Sequence, residues 1–207
     1  MRAREAKPTR PGTLEVSGKG PVRLRVTAVD STTATLEIGV DYALAPVPGL
    51  HYDADYSDVV EGRTGVVLVF GKLRPGGKDL RTKIEIAFSA EYFVKQVWRS
   101  SRGFHETVRR LSAGKELAAV DSPQETERVQ CFRSNNVFMA VLGEEAVLDF
   151  YYISPGDIHL AQKERRPDIS LEPIVRVLVS TPVLLEFLEK CRPFAERWRA
   201  AFEEEEV

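Results

Sequence analysis

The chain carries one motif twice. Gly65 to Gly76 reads G-V-V-L-V-F-G-K-L-R-P-G, and Glu145 to Gly156 reads E-A-V-L-D-F-Y-Y-I-S-P-G. Phe70 falls on Phe150, Pro75 on Pro155 and Gly76 on Gly156, all at an offset of 80 (150 − 70). A second match follows each copy: Ile84-Glu85-Ile86-Ala87-Phe88-Ser89 lies on Val175-Arg176-Val177-Leu178-Val179-Ser180. There the offset is 91 (180 − 89), so copy two holds eleven more residues (91 − 80) between its two words. Self-similarity at this spacing makes one small unit, used twice, the object that must fold.

Within copy one, Val66 to Leu73 reads as an apolar strand and Arg74 to Asp79 as a turn-rich loop. Thr82 to Phe88 alternates, with Ile84, Ile86 and Phe88 facing one way. Ser89 is a credible N-cap, because its hydroxyl can accept from the first unpaired backbone N–H groups. A helix is predicted over Glu91–Leu111, with Phe93, Val97, Phe104, Val108 and Leu111 on one face, ended by Ser112-Ala113-Gly114. In copy two, Val129 to Val141 is read as one strand, Ala146 to Ile153 as the next and Ser154 to Ser170 as a charged polar loop. Ile174 to Val179 follows, and Thr181-Pro182 opens a helix with Leu184, Leu188, Cys191, Ala195, Trp198 and Phe202 as its apolar stripe.

Before the copies, Val22 to Val29 and Thr33 to Val40 alternate around Asp30-Ser31 and predict a β-hairpin. Ala43 to Asp55, with Pro46, Pro48 and Gly49, reads as a loop. The expected organisation is a flexible tail over 1–12, a hairpin plus repeat unit over 13–114, a linker over 115–127, a second unit over 128–202 and an acidic tail over 203–207. The expected fold is α+β: two tandem antiparallel β-sheet units, each followed by a long amphipathic helix, in a pseudo-twofold arrangement with an N-terminal hairpin extension.

Copy two resembles a small bacterial family known as domain of unknown function 3467. The resemblance is carried by Ser134-Asn135-Asn136, Glu145-Ala146-Val147-Leu148-Asp149-Phe150, Pro155-Gly156, and Val175 to Pro182 with the helix behind it. It spans about residues 129–200, and a degenerate second copy lies at about 56–112. There Val69 stands in place of Asp149, and Ala90-Glu91 in place of Thr181-Pro182. The resemblance implies a fold and brings no catalytic residues with it.

Composition narrows the function classes. The net charge is −2, from 29 basic and 31 acidic residues, which argues against a wholesale electrostatic grip on nucleic acid or an anionic membrane. No apolar run approaches the roughly 20 residues that span a bilayer. Met1 to Pro8 is basic with no apolar segment behind it, unlike a secretory signal. Cys131 and Cys191 have no metal or redox spacing and are expected to be reduced packing residues in a cytoplasmic protein.

No catalytic constellation emerges. His51, His105 and His159 are not spaced as metal ligands; His51-Tyr52-Asp53-Ala54-Asp55 could clasp a cation but reads first as an acidic turn. Ser17-Gly18-Lys19-Gly20-Pro21 lacks most of a phosphate loop and reads as a turn. No cofactor and no metal are implied. Asp149 points away from the Leu148 and Phe150 face; it is read as exposed, as paired with Arg176 or Asn135, or, last, as a catalytic acid. Tyr151 and Tyr152 must point to opposite faces, so one is available to a partner, and Tyr151, Tyr152 and Asp149 form the expected partner surface. Lys72, Arg74, Lys78 and Arg81, with Arg99 and Arg102 on the following helix near Trp98, form an expected nucleic-acid patch.

The expected function is therefore a non-enzymatic binding or adaptor protein acting through protein–protein contacts at sheet edges or an exposed sheet face. A nucleic-acid or transcription accessory protein and a holdase-like chaperone are the alternatives. A protein partner is expected, nucleic acid and homo-oligomers are open, and no membrane contact is expected.

Overall fold

The computed structural model describes residues 13–17, 20–28, 34–76, 79–115, 126–164 and 169–203. The expected tail over 1–12, Gly18 and Lys19, the turn at Asp30 and Ser31, Lys78, linker residues 116–125, and Glu204 to Glu206 lie outside them. The protein is α+β, and the chain divides into two compact units. One comprises residues 1–46 and 153–171. It holds a three-stranded antiparallel sheet of β1 (Thr13–Ser17), β2 (Val22–Ala28) and β3 (Ala34–Val40), in that order. β2 and β3 are the expected hairpin, and β1 extends it by a strand that ends at Ser17, where the expected turn begins.

The same unit corrects the reading of Ser154 to Ser170 as a loop. Pro155–Glu164 is a helix, numbered α4 in chain order. Ser154 opens it: its hydroxyl accepts from the Asp157 N–H at 3.4 Å and its carbonyl from the Ile158 N–H at 3.1 Å. Pro155 sits in the first turn, where its missing N–H leaves no bond unmade. The same Pro-Gly word in copy one stays a turn, and Gly76 there takes φ +103°, a conformation open to glycine at little steric cost.

Apart from residues 153–171 of copy two, both repeats lie in the other unit, residues 47–152 and 172–207, so they do not form separate bodies. Its strands are β4 (His51–Ala54), β5 (Tyr56–Glu61), β6 (Gly65–Leu73), β7 (Leu80–Ser89), β8 (Thr126–Arg133), β9 (Asn136–Leu142), β10 (Glu145–Tyr152) and β11 (Glu172–Ser180). They make two four-stranded sheets of like topology, β5-β6-β7-β8 and β9-β10-β11-β4. In each, three antiparallel strands come from one copy. The fourth is the first strand of the other copy, paired parallel to the last of the three. Register follows the sequence offsets. Phe70 faces Ile84 and Leu68 faces Ile86; Phe150 faces Val175 and Leu148 faces Val177.

Two expectations are corrected by this exchange. Val129 to Val141 is not one strand but two, in different sheets. The Ser134 N–H donates to the Ala87 carbonyl at 3.1 Å, in one sheet, and the Asn135 N–H to the Tyr151 carbonyl at 3.1 Å, in the other. The chain crosses between sheets within two residues. The stretch read as a loop over 43–55 contains β4, which makes the matching crossing. Asp55 N–H donates to Gly71 O at 3.0 Å, the same bond 80 residues earlier.

Alternation puts Leu68, Phe70, Ile84, Ile86 and Phe88 of one sheet and Leu148, Phe150, Val175, Val177 and Val179 of the other into a single buried apolar cluster. The helices complete it. Thr181–Glu203 (α5) packs on β5, and contributes Leu184, Phe187, Leu188, Cys191 and Ala195. The helix expected over Glu91–Leu111 is broken into α1 (Ala90–Tyr92), a π-helical turn (Phe93–Trp98), α2 (Arg99–Arg102) and α3 (His105–Ser112). Ser89 caps it as expected, accepting from Tyr92 N–H at 3.4 Å. The wide turn leaves Phe93, Val94 and Val97 buried. Of Thr181 and Ser180, the two residues expected as cap of the last helix, Thr181 is buried with a hydroxyl that has no partner among the described residues.

Candidate functional site

The core face of β6, β7 and β8 runs out into charge. Phe70 and Ile84 form the last apolar row. Two residues further along, Lys72 faces Thr82, and Thr82 faces Arg128. Residues directly opposite on neighbouring strands point to one side, so these three continue the inner face. Arg81 joins them through a bulge: Lys72 faces Thr82 and Leu73 faces Leu80, which leaves Arg81 as the extra residue. A bulge re-aims a side chain that strict alternation would send to the other face. Lys72, Arg81, Thr82 and Arg128 together line a half-open cleft of about 310 Å³.

The cleft is held by its neighbours. Tyr52 of β4, from the facing sheet, hydrogen-bonds the Thr82 hydroxyl at 2.7 Å. Burial raises the Tyr52 phenol's pKa above its ordinary value, against the lowering pull of that bond. Lys72 Nζ lies 3.0 Å from Asp55 Oδ2, while Asp55 Oδ1 accepts from the Leu73 N–H at 2.6 Å. Among the described residues, neither Arg81 nor Arg128 is ion-paired. At the corresponding place in the other sheet stand Tyr152, which faces Glu172, and, 80 residues before Arg128, Pro48. The cationic cleft therefore belongs to one sheet only.

Of the expected nucleic-acid patch, the structure brings Lys72 and Arg81 together. Arg74 is exposed in the turn after β6, and Lys78 is outside the described residues. Arg99 and Arg102 lie on α2, which packs against β9 of the other sheet, so the helix does not extend this face. Arg128 was missed by sequence. It sits across the linker from the basic run, and only the parallel pairing of β8 with β7 delivers it.

The expected partner surface is corrected. Asp149 and Tyr151 are buried, and Tyr152 is half-buried. Asp149 takes a two-pronged bond from Arg176, Nε to Oδ1 and Nη2 to Oδ2, both 2.7 Å; of the readings open to it, pairing with Arg176 is the one observed. That bond raises the Arg176 guanidinium's pKa further. The Tyr151 hydroxyl points at Asp149 Oδ2 from 3.5 Å, and burial with the adjacent negative charge pushes the phenol up to about 12. Ser134-Asn135-Asn136 is likewise buried at the crossing between sheets. The Ser134 hydroxyl lies 2.6 Å from the Tyr151 carbonyl and 2.9 Å from that of Asn136.

Two of the three histidines have structural partners. His51 Nε2 lies 2.9 Å from the Pro48 carbonyl, and His105 Nε2 lies 2.7 Å from Glu189 Oε1. Arg192 also bonds Glu189, at 3.1 Å and 3.2 Å. Burial would raise the Glu189 carboxyl, but the His105 hydrogen bond and the Arg192 charge hold it below its usual range. His159 is exposed on α4 rather than in a loop. The oxygens of Asp55 serve Lys72 and Leu73, and no metal-holding group of His, Cys, Asp or Glu occurs among the described residues.

β8 is one of the edge strands of these two sheets. Among the described residues β8 pairs with β7 alone. Its exposed side chains are Arg128, Val129, Gln130, Cys131 and Arg133, with Val129 46% exposed. Burial among apolar neighbours raises the Cys191 thiol far above its ordinary pKa, so it stays protonated; the exposed Cys131 contacts Glu85 at 3.5 Å. No helix among the described residues is long and apolar enough to cross a membrane. No protein-family model, curated protein or solved structure matches the chain.

Proposed function

We propose that this is a non-enzymatic binding protein that captures an extended, acidic segment of a partner protein by strand addition along β8. The open edge of β8 carries the reading. An unpaired strand edge is a row of N–H and C=O groups ready to accept another strand. Its described exposed side chains bear two positive charges, Arg128 and Arg133, and no negative one. Those charges also disfavour a second copy as the occupant. In an antiparallel self-pairing centred between Gln130 and Cys131, Arg128 of one chain faces Arg133 of the other (128 + 133 = 130 + 131), and like charges directly opposed are destabilising. A strand with acidic residues at those positions meets them favourably. Asp149, His51 and His105 are bound to Arg176, Pro48 and Glu189.

The test is affinity capture from a lysate of the protein's own cells, washed at low and at high salt, with wild type beside Val129→Lys and the double variant Arg128→Glu, Arg133→Glu. The expected result is a protein that survives the high-salt wash, is lost from both variants, and is protected from hydrogen exchange over an extended acidic segment. Capture that is indifferent to both variants overturns the reading. Recovery of nucleic acid, lost at high salt, moves the assignment to the basic cleft.

A further inference from the structure

The cationic cleft shares Arg128 with the β8 edge, but Lys72, Arg81 and Thr82 have no part in strand addition. Three cations and one hydroxyl converge on a single half-open recess of about 310 Å³. That is the small end of the range of ligand sites, about 300–1,000 Å³. Arginine presents planar forks of donors that match the oxygens of a phosphoryl group, and lysine adds a point charge. Arg81 is there because β7 spends an extra residue to aim it, and Thr82 is oriented by Tyr52 at 2.7 Å. Lys72 has Asp55 as its counterion, while the charges of Arg81 and Arg128 have none among the described residues. The equivalent end of the other sheet carries no such set, so the cluster is not a by-product of the repeated fold.

We propose that this cleft is a binding site for a small phosphorylated ligand, with Arg81 and Arg128 clasping the phosphoryl oxygens, Lys72 supplying a further charge and Thr82 a hydroxyl. The shape argues for a small anion over a polymer. Binding a nucleic-acid strand needs a groove of positive charge along its backbone, and here Arg99 and Arg102 lie on α2, packed against the other sheet, instead of extending the row.

The test is calorimetric titration of the full chain with inorganic phosphate and with pyrophosphate, alongside a single-stranded DNA oligonucleotide. The expected result is saturable one-to-one binding of pyrophosphate. Arg81→Gln and Arg128→Gln should each weaken it at least about tenfold, the effect of removing one hydrogen bond to a charged group. Arg110→Gln, exposed on α3, should leave it unchanged. Circular dichroism checks each variant for folding, and Lys72→Gln, on the strand opposite the extra residue, serves if Arg81→Gln perturbs β7. Absence of saturable binding to either small anion overturns the proposal. So does affinity equally retained in all the cleft variants, or binding of the oligonucleotide that pyrophosphate does not displace.

Discussion

The rings of Phe70 and Phe150, which hold the same place in the two sequence repeats, meet at a centroid distance of 5.9 Å. Phe187 packs on Phe70 at 5.2 Å and Phe88 on Phe150 at 6.1 Å. All four rings are at most 3% exposed. The two copies thus share one core and not two adjacent ones. Phe70→Ala and Phe150→Ala should each cost about 3–5 kcal/mol, read as a lower midpoint in urea denaturation. Because the rings touch, the double variant should depart from the sum of the singles by about 0.5 kcal/mol or more. Strict additivity would mean that the two repeats are energetically separate.

Asp149 and Arg176 are a pair whose partners are unequally placed. The Asp149 side chain is 4% exposed and that of Arg176 26%. Arg176→Leu strands a buried carboxylate and should cost about 3 kcal/mol or more. Asp149→Val leaves an arginine that can still reach water and should cost less. Copy one already carries Val69 at the place of Asp149, buried, with Glu85 opposite it. The double variant Asp149→Val, Arg176→Leu should therefore recover much of the loss, since a buried ion pair replaced by apolar groups is often near neutral. Denaturation midpoints of the three variants decide the order.

Tyr151 makes stability sensitive to alkali. Its phenol is raised from 10.0 to about 12 by burial and by the Asp149 charge. A group whose folded pKa is raised lends stability that is whole below its unfolded value and disappears as pH climbs through the folded one. The loss should fall between about pH 10 and 12. Tyr151→Phe removes the titration, so its stability should decline less over that window than wild type's. Parallel urea curves at both ends of the window would show the opposite.

Gly65 is fixed by space. A Cβ built there lies 2.0 Å from the Phe88 carbonyl and 2.8 Å from the Ala90 nitrogen. Both are backbone atoms of the β7-to-α1 junction, and neither can swing aside like a side-chain tip. Gly65→Ala should cost at least about 1–3 kcal/mol, whereas Gly20→Ala, with nothing within 4 Å, should be close to neutral by thermal denaturation.

Short-range pattern was enough to read β6, β7, β10, β11, the Ser89 cap and the buried stripe of α5, because alternation and helical spacing are local. The offsets even carried the register, since Phe70 and Phe150 find aligned partners. What local pattern did not carry was which sheet a strand joins. Val129 to Val141 looks continuous, and nothing in Ser134-Asn135 marks a change of sheet except two small polar residues whose buried bonds only the fold reveals. The cleft failed to appear for the same reason. Lys72 and Arg81 stand out as a basic run, but Arg128 reaches them through parallel pairing, and Arg81 faces them through a bulge that alternation forbids. The helix after Ser154 was hidden by its Pro-Gly start, which means a turn at Pro75-Gly76.

The exchange of first strands has a consequence for synthesis. β4, at His51–Ala54, is parallel to β11, and its partners run from Arg176 to Val179. A chain emerging from the ribosome makes β4 early and must hold it unmatched until more than a hundred further residues have appeared. β8 has no such wait, since β7 is already there to receive it. Closing so long a loop before any contact rewards it is slow. The sheet with β4 at its edge should therefore be the last part of the molecule to become whole, and a chain truncated before β11 should expose a strand with nowhere to go.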